Sequence, residues 1–328
     1  MEKISIRSLT EEDFPSFQLM YLEIFKMEMS FDFFKWKYID NPNNVETALS
    51  VYGAFHQNEL IGARAIFSSR VIYNGEQFLA AQTGDTMVKE NWRGKGVFKQ
   101  LNQAVLDDLT EKGYKLIFNF PNENSAPGNL KLGWKLVDYG TNHFKIHPSF
   151  SFGKREKGKT LTKKGYVVET TELDNKKVTD FISSTLDGTI YQNREANYLL
   201  WKYVQKPGES YWPIVIKQKG EIVALFICKP SSIKFLKKTH IVDYVIKGGF
   251  NYTVALDLVS SYLNRNGVSI IQTVEFSDHA FKKSLQRNHF MKRKQKANFM
   301  VRLLDDQMSS HFYQSNHWHI ALGDTDFI

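Results

Sequence analysis

Apolar residues along this chain recur with two periods, and the order of the periods repeats. The opening "ISIRS" alternates like a strand, and residues 11–25 carry apolar side chains three and four apart, as an amphipathic helix does. Residues 51–69 read as two strands around a short polar turn, and "GDTMV" (84–88) reads as a further strand. Residues 97–113 form a second helical pattern that ends on glycine, followed by the apolar run "YKLIFNF" (114–120). The second half passes through the same stages: a helix over 174–186, a hairpin over 211–229, a helix over 253–267 ending on glycine, and an apolar run over 268–274. Between the first helix and the hairpin, "FFKWKYIDNP" (33–42) is matched by "YLLWKYVQKP" (198–207), with Trp-Lys-Tyr shared and a proline four residues after the tyrosine.

A strand, a helix and a strand at this spacing imply a crossover with parallel strands, so the expected class is α/β, with an α+β type of mixed sheet flanked by helices. The repetition implies two copies: residues 1–150, a basic linker over 151–165, and residues 166–328 with a C-terminal tail. Trp36, Tyr38, Trp201 and Tyr203, occurring in both copies, are expected to pack between elements.

Composition narrows the function classes. The chain has 328 residues, a formal net charge of +8 and a single cysteine, Cys228, so an internal disulfide framework is excluded and a reducing, cytoplasmic setting is expected. Its apolar runs are too short to span a bilayer. The basic clusters at 152–165 and 291–296 read as solvated loops and strand edges. With no helix-turn-helix, zinc-finger or RNA-binding signature, nucleic acid is not the expected partner. His311, His317 and His319 have no cysteine or carboxylate at ligand spacing, so no metal is expected there. Asp324 and Asp326 fall in a tail expected to be solvated.

What separates the copies is "MVKENWRGKGVFKQL" (87–101). Two glycines allow a tight path into a helix whose first N–H groups have no intrahelical partner and favour an anion. Arg93 and Lys95 add charge there. Neither a P-loop nor a dinucleotide fingerprint fits, since Val97 follows Gly-Lys-Gly and no third glycine or closing acid is present. The corresponding stretch of the second copy, "DYVIKGGFNYT" (243–253), has no Arg-x-x-Gly run.

Together with "NENSAPGNLKLGWK" (122–135), the loop Arg93-Gly94-Lys95-Gly96-Val97-Phe98 resembles the GNAT superfamily of acyl-CoA-dependent N-acyltransferases, with Phe98 in place of the last small residue. The resemblance covers residues 4–138 and reaches the second half through the repeated elements. The Trp-Lys-Tyr repeats and the "WHIALGDTDFI" ending are similar to a tandem GNAT subgroup of surface-polysaccharide biosynthesis. The resemblance implies acetyl-CoA or another acyl-CoA as co-substrate and a small-molecule primary amine as acceptor, an amino sugar on a nucleotide or lipid being preferred. It implies that Arg93, Gly94, Lys95, Gly96, Val97 and Phe98 hold the pyrophosphate. Met87 and Val88 would polarise the thioester carbonyl, and Asn122, Asn124 and Ser125 would line the pantetheine arm.

The general base is expected among Asp85, Asn119 and Glu123, with Asp85 preferred because a strand holds it. The family's usual tyrosine, the thiolate acid, falls on Asn129, which cannot serve as one. Two rivals stand beside the N-acyltransferase reading: a Fem-type aminoacyl-tRNA-dependent transferase, which the charge suits, and a non-catalytic CoA-binding or scaffold protein, which Asn129 suits.

Overall fold

A computed structural model describes residues 3–45, 50–147, 160–276 and 278–325, so most of the 151–165 linker, and Asp326, lie outside the described residues. The first half runs β1 (Ser5–Ser8), α1 (Phe14–Phe25), α2 (Phe31–Tyr38), β2 (Val51–His56), β3 (Glu59–Tyr73), β4 (Glu76–Val88), α3 (Val97–Glu111), β5 (Leu116–Asn119), α4 (Ala126–Lys131) and β6 (Lys135–Ile146). The second half begins β7 (Leu161–Lys163), β8 (Tyr166–Thr170), α5 (Lys176–Thr185), β9 (Ile190–Gln192), α6 (Ala196–Tyr203), β10 (Trp212–Gln218) and β11 (Glu221–Ile233). It continues β12 (Leu236–Ile246), α7 (Tyr252–Arg265), β13 (Val268–Glu275), α8 (His279–Arg287), β14 (Met291–Leu303) and β15 (Trp318–His319). The mixed α/β class and the repeated element order are those the periodicity predicts.

The tight turns are made where the sequence allows a left-handed residue. Asn58 (φ 68°) closes the β2–β3 hairpin and Gly220 (φ 86°) the β10–β11 hairpin. Helices α1 and α2 cover one face of the first sheet, through Phe17, Met20, Phe34 and Tyr38 packed on Ala63, Ala65 and Met87. Helix α3 covers the other face, placing Val97, Leu101 and Val105 on Ile61, Ile66 and Ala81. Burial of these side chains, worth roughly 1.5–3 kcal/mol each, fixes which face each helix takes.

One continuous sheet joins both halves, in the order β1-β2-β3-β4-β5-β14-β6-β13-β12-β11-β10-β8-β7. The two last strands of the repeats are exchanged. Strand β14, from the second half, pairs with β5 through Met300–Asn119 to Leu303–Leu116, and β6, from the first, pairs with β13. Strands β14 and β6 then pair with each other, so each half is completed by a strand from the other. Nothing in the periodicity distinguishes this exchange from two self-contained sheets, because an apolar strand reads the same whichever neighbour it finds.

The Trp-Lys-Tyr repeats meet at the join. The Trp36 and Trp201 indoles stack with centroids 5.1 Å apart. Trp36 Nε1 donates to the Trp201 carbonyl (2.8 Å), and Trp201 Nε1 donates to the Trp36 carbonyl (2.9 Å). This reciprocity is what a two-fold relation between the copies requires. It satisfies both buried indole N–H groups without any other polar partner.

Candidate active site

Strands β4 and β5 run parallel for three residue pairs, Ala80–Leu116 to Gln82–Phe118, and then part. A bulge in β4 accompanies the parting: Ala65 opposes Gly84 and Ala63 opposes Met87, so Asp85 and Thr86 both face Arg64. Asp85 takes φ 39° to make that bulge, a conformation that short Asp side chains tolerate. Its carboxylate turns to the α2 side of the sheet, where it accepts from the Tyr38 hydroxyl (2.7 Å) and pairs with Lys37 Nζ (2.5 Å). Thr86 turns to the α3 side, its hydroxyl accepting from Arg64 Nη1 (2.8 Å). The two faces of the sheet are thereby chemically different at one point of one strand.

The α3 side holds cationic and donor groups. Arg64 is 3% exposed and pairs with no carboxylate among the described residues; its Nε has no partner, and burial alone pushes its guanidinium down to about 10. It remains charged at neutral pH and lies 5.9 Å from the Phe98 ring centroid, at the start of α3. Gly94 (φ 75°) and Gly96 (φ 83°) carry the chain into that helix. A Cβ on Gly94 would meet nothing within 4 Å, so the loop faces open space. Gly96 is the N-cap and, having no side chain, leaves the helix amides uncapped.

The other expected residues fall around this mouth. Arg93 is exposed and donates from Nε to the Val88 carbonyl (3.3 Å), and Lys95 lies 4.6 Å from the Trp92 ring centroid. Val97, the first residue of α3, is buried against the sheet, Val88 packs against the same cluster, and Met87 faces α1 and α2. Asn119, at the end of β5, donates to Thr83 (3.2 Å) and leaves its buried Oδ1 without a partner. Asn122 Oδ1 accepts from the amides of Asn124 (3.0 Å) and Ser125 (3.1 Å), closing the turn before α4. Glu123 and Asn124 are exposed, whereas Asn129 is buried with its Oδ1 unpartnered. Gly128 is packed so closely that a Cβ would stand 3.1 Å from the Phe98 ring. Phe98, standing where the resemblance expects a small residue, therefore fills space between α3 and α4.

The second half repeats the frame and fills it. Tyr203 donates to Asp243 (3.3 Å) as Tyr38 does to Asp85, and β12 slips register at Val242. Asp243, however, is gripped by Arg194 through Nε (3.0 Å) and Nη2 (3.1 Å), and Arg194 also pairs with Asp324 (3.0 Å). Burial would raise the Asp243 carboxyl, but the Arg194 charge outweighs it and holds the pKa low. Asp324 is 6% exposed within this triad, not solvated as the sequence leads one to expect, because its partner Arg194 lies 130 positions earlier in the chain, between β9 and α6, where no local pattern shows the pairing. Where Thr86 stands in the first half, Tyr244 stacks on Phe281 of α8 at 3.9 Å. Where Arg64 stands, Phe226 is fully buried. Asn251 caps α7 by accepting from the amides of Thr253 (2.9 Å) and Val254 (3.3 Å).

Arg64, Lys37 and Tyr38 escape a reading of the sequence for function. Arg64 alone carries a signal, as a charge in the apolar strand "IGARAIF". Lys37 and Tyr38 are legible only as packing, since nothing local shows that they meet a residue 47 or 48 positions later. Among the described residues no group of side chains could hold a metal ion, and no helix is long and apolar enough to cross a membrane.

Residues 5–137 match the family model of the acetyltransferase (GNAT) domain. A GCN5-related N-acetyltransferase from Anabaena variabilis superposes with a TM-score of 0.70 at 12% identity, covering 92% of this chain and 73% of that one. A probable N-acyltransferase from Enterococcus faecalis gives 0.69 at 13% identity, covering 93% and 73%. Saccharomyces cerevisiae N-myristoyltransferase with bound myristoyl-CoA gives 0.61 at 11% identity, covering 92% and 78%. A search of curated sequences finds no significant match. The first half is thus similar to the GNAT acetyltransferase domain, and the likeness to solved structures, at these identities, shows a shared fold.

Proposed function

We propose that the protein transfers an acyl group, acetyl being the first choice, from acyl-CoA to a primary amine, and that residues 1–150 hold the donor while residues 166–328 shape the acceptor side. One observation carries this reading. Where β4 and β5 part, the first half presents an uncapped helix N-terminus and a buried arginine with no carboxylate, and the second half has both positions filled. Amide donors and an uncompensated cation converging on open space suit a phosphate-bearing ligand.

In this reading the amides of Gly94 to Phe98, with Arg93 and Lys95, hold the CoA pyrophosphate. Met87 and Val88 orient the thioester carbonyl through their backbone, and Asn122, Asn124 and Ser125 flank the pantetheine arm. The bound acyl-CoA supplies an activated carbonyl. Asp85, on the opposite face of the same bulge, takes the proton from the attacking amine. Asn119 Oδ1 is a second acceptor for that amine, and exposed Glu123 would serve through water. The new C–N bond forms as the C–S bond breaks, and the electron pair leaves on the CoA sulfur. Asn129 supplies no proton to it, so the thiolate departs unassisted by that residue. An amino sugar carried on a nucleotide or lipid is the preferred acceptor.

Thermal denaturation with acetyl-CoA, followed by thiol release over a panel of amines, tests the proposal. Stabilisation by acetyl-CoA together with amine-dependent thiol release is expected. Stabilisation without release from any amine would favour a CoA-binding protein without catalysis. No stabilisation by acetyl-CoA, with salt-dependent tRNA binding in its place, would overturn the donor assignment in favour of aminoacyl-tRNA.

A further inference from the structure

Between the halves, beside the stacked tryptophans, lies a cavity of about 50 Å³. Three lysines line it, Lys37, Lys202 and Lys206, together with Gln82, and all four are less than 9% exposed. Lys37 and Lys202 occupy the same place in the two Trp-Lys-Tyr repeats, so the two-fold relation brings two like charges to one space. Lys37 pairs with Asp85, and Lys202 lies 3.3 Å from the Tyr198 hydroxyl. Lys206 forms no ion pair among the described residues. Its ammonium stands 5.1 Å from the Trp36 ring centroid and 6.0 Å from that of Phe33. Glu209, the carboxylate near it, is engaged by Lys229 at 2.7 Å. Gln82, on β4 three residues before Asp85, leaves its buried Nε2 without a partner.

The three ammonium groups and Gln82 Nε2 are donors, and Gln192 Oε1 is an unpartnered acceptor on the same lining. A buried cation is retained against a desolvation cost of several kcal/mol when something else compensates it, and among the described residues Lys206 has no ion-pair partner. The volume holds about four waters, at roughly 10–15 Å³ each, or one carboxylate or phosphate group. Phe33 and Trp36 give the cavity an apolar wall on which the body of a ligand would rest. Burial also pushes Lys206 down to about 7, which is the expected mark of a cation awaiting a counter-charge.

We propose that the acceptor is an amine that carries its own anionic group, phosphate or carboxylate, and that Lys206, Lys202 and Gln82 hold this group in the cavity while Lys37 is shared between it and Asp85. The inference rests on the acceptor side lying on the α2 face of the β4 bulge, as in the proposed function. It accounts for a feature that function leaves idle: a second charge in the cavity competes with Asp85 for Lys37, and Asp85 is then freed toward the amine.

The test compares matched amines, glucosamine 6-phosphate against glucosamine and glycine against methylamine, at constant ionic strength, with CoA at saturation in the binding measurement alone so that the proposed phosphate loop is filled. Thermal shift is the binding readout, and thiol release from acetyl-CoA gives kcat/KM. At least one anionic member is expected to stabilise the protein and to exceed its neutral partner by at least about 30-fold in affinity or kcat/KM, the size of one charge-assisted contact. Which pair responds separates phosphate from carboxylate. K206M is expected to lose at least ten-fold of that preference, K206R to retain most of it, and acetyl-CoA to stabilise K206M as it does the parent. Equal response to charged and neutral amines, or an unchanged preference in K206M, overturns the proposal. An anionic amine that binds to a protein acetyl-CoA does not stabilise upholds this site and removes the donor assignment instead.

Discussion

Replacing Gly96 by glutamate separates the proposed phosphate-holding role of its loop from the fold that carries it. Gly96 sits at φ 83°, and a Cβ there would meet only the Gln100 amide at 3.8 Å. A left-handed non-glycine residue costs about 1–2 kcal/mol, so the apoprotein should lose a few degrees of Tm and remain folded. The added carboxylate stands at the uncapped end of α3. Held about 5 Å from one phosphate charge, it repels by roughly 1–3 kcal/mol for effective dielectrics between 80 and 20. Two phosphates and lost space bring the weakening to about 30-fold or more. At an acetyl-CoA concentration of about 100 Kd, which stabilises the parent by about 2.7 kcal/mol, the variant should gain at most about 0.9 kcal/mol. Gly249 supplies the control: it precedes α7 in the second half, has φ 79° and meets nothing within 4 Å. G249E therefore carries the same strain and charge and should keep the full acetyl-CoA shift. Differential scanning fluorimetry on the three proteins decides it. Equal acetyl-CoA shifts in G96E and G249E would refute the placement of the phosphates.

Two further predictions concern the acceptor side. D85N should lower kcat by about 10²–10⁴ if Asp85 takes the amine proton and leave the acetyl-CoA shift intact; a rate within a few-fold of the parent would move the base elsewhere. Lys206 should make stability depend on pH. Burial foremost, and the charges of Lys229, Lys37 and Lys202 with it, press its pKa down to about 7, Glu209 opposing. The folded state then binds fewer protons than the unfolded chain between about 7 and the unfolded lysine value near 10.4. Its burial penalty is therefore complete below about pH 7 and fades as pH rises toward 10.4. K206M should be more stable than the parent by on the order of 2–4 kcal/mol at pH 6.5, and chemical denaturation should show the gap closing by pH 10. A gap that stays constant with pH would mean that Lys206 is solvated.

The repeat was legible in the sequence because apolar period and Trp-Lys-Tyr spacing are local properties, each set by a few neighbouring residues. The glycine loop proposed to hold phosphate was legible for the same reason: Gly94 and Gly96 both take positive φ, and the helix they introduce begins one residue later. Asp85 could be singled out as a carboxylate on a strand, but its bulge, its φ of 39° and its partners Tyr38 and Lys37 could not. Those depend on which strand edge meets which helix. The exchange of β6 and β14 lies beyond local pattern altogether, since the strands are selected by neighbours more than a hundred residues away. The same holds for the lysine-lined cavity. Sequence places Lys37, Lys202 and Lys206 on two distant segments, and only the two-fold meeting of Trp36 with Trp201 buries them around one space. Local propensity thus determined the elements and the glycine turn before α3, while the buried charges around Asp85 and in the cavity were brought together by tertiary contact.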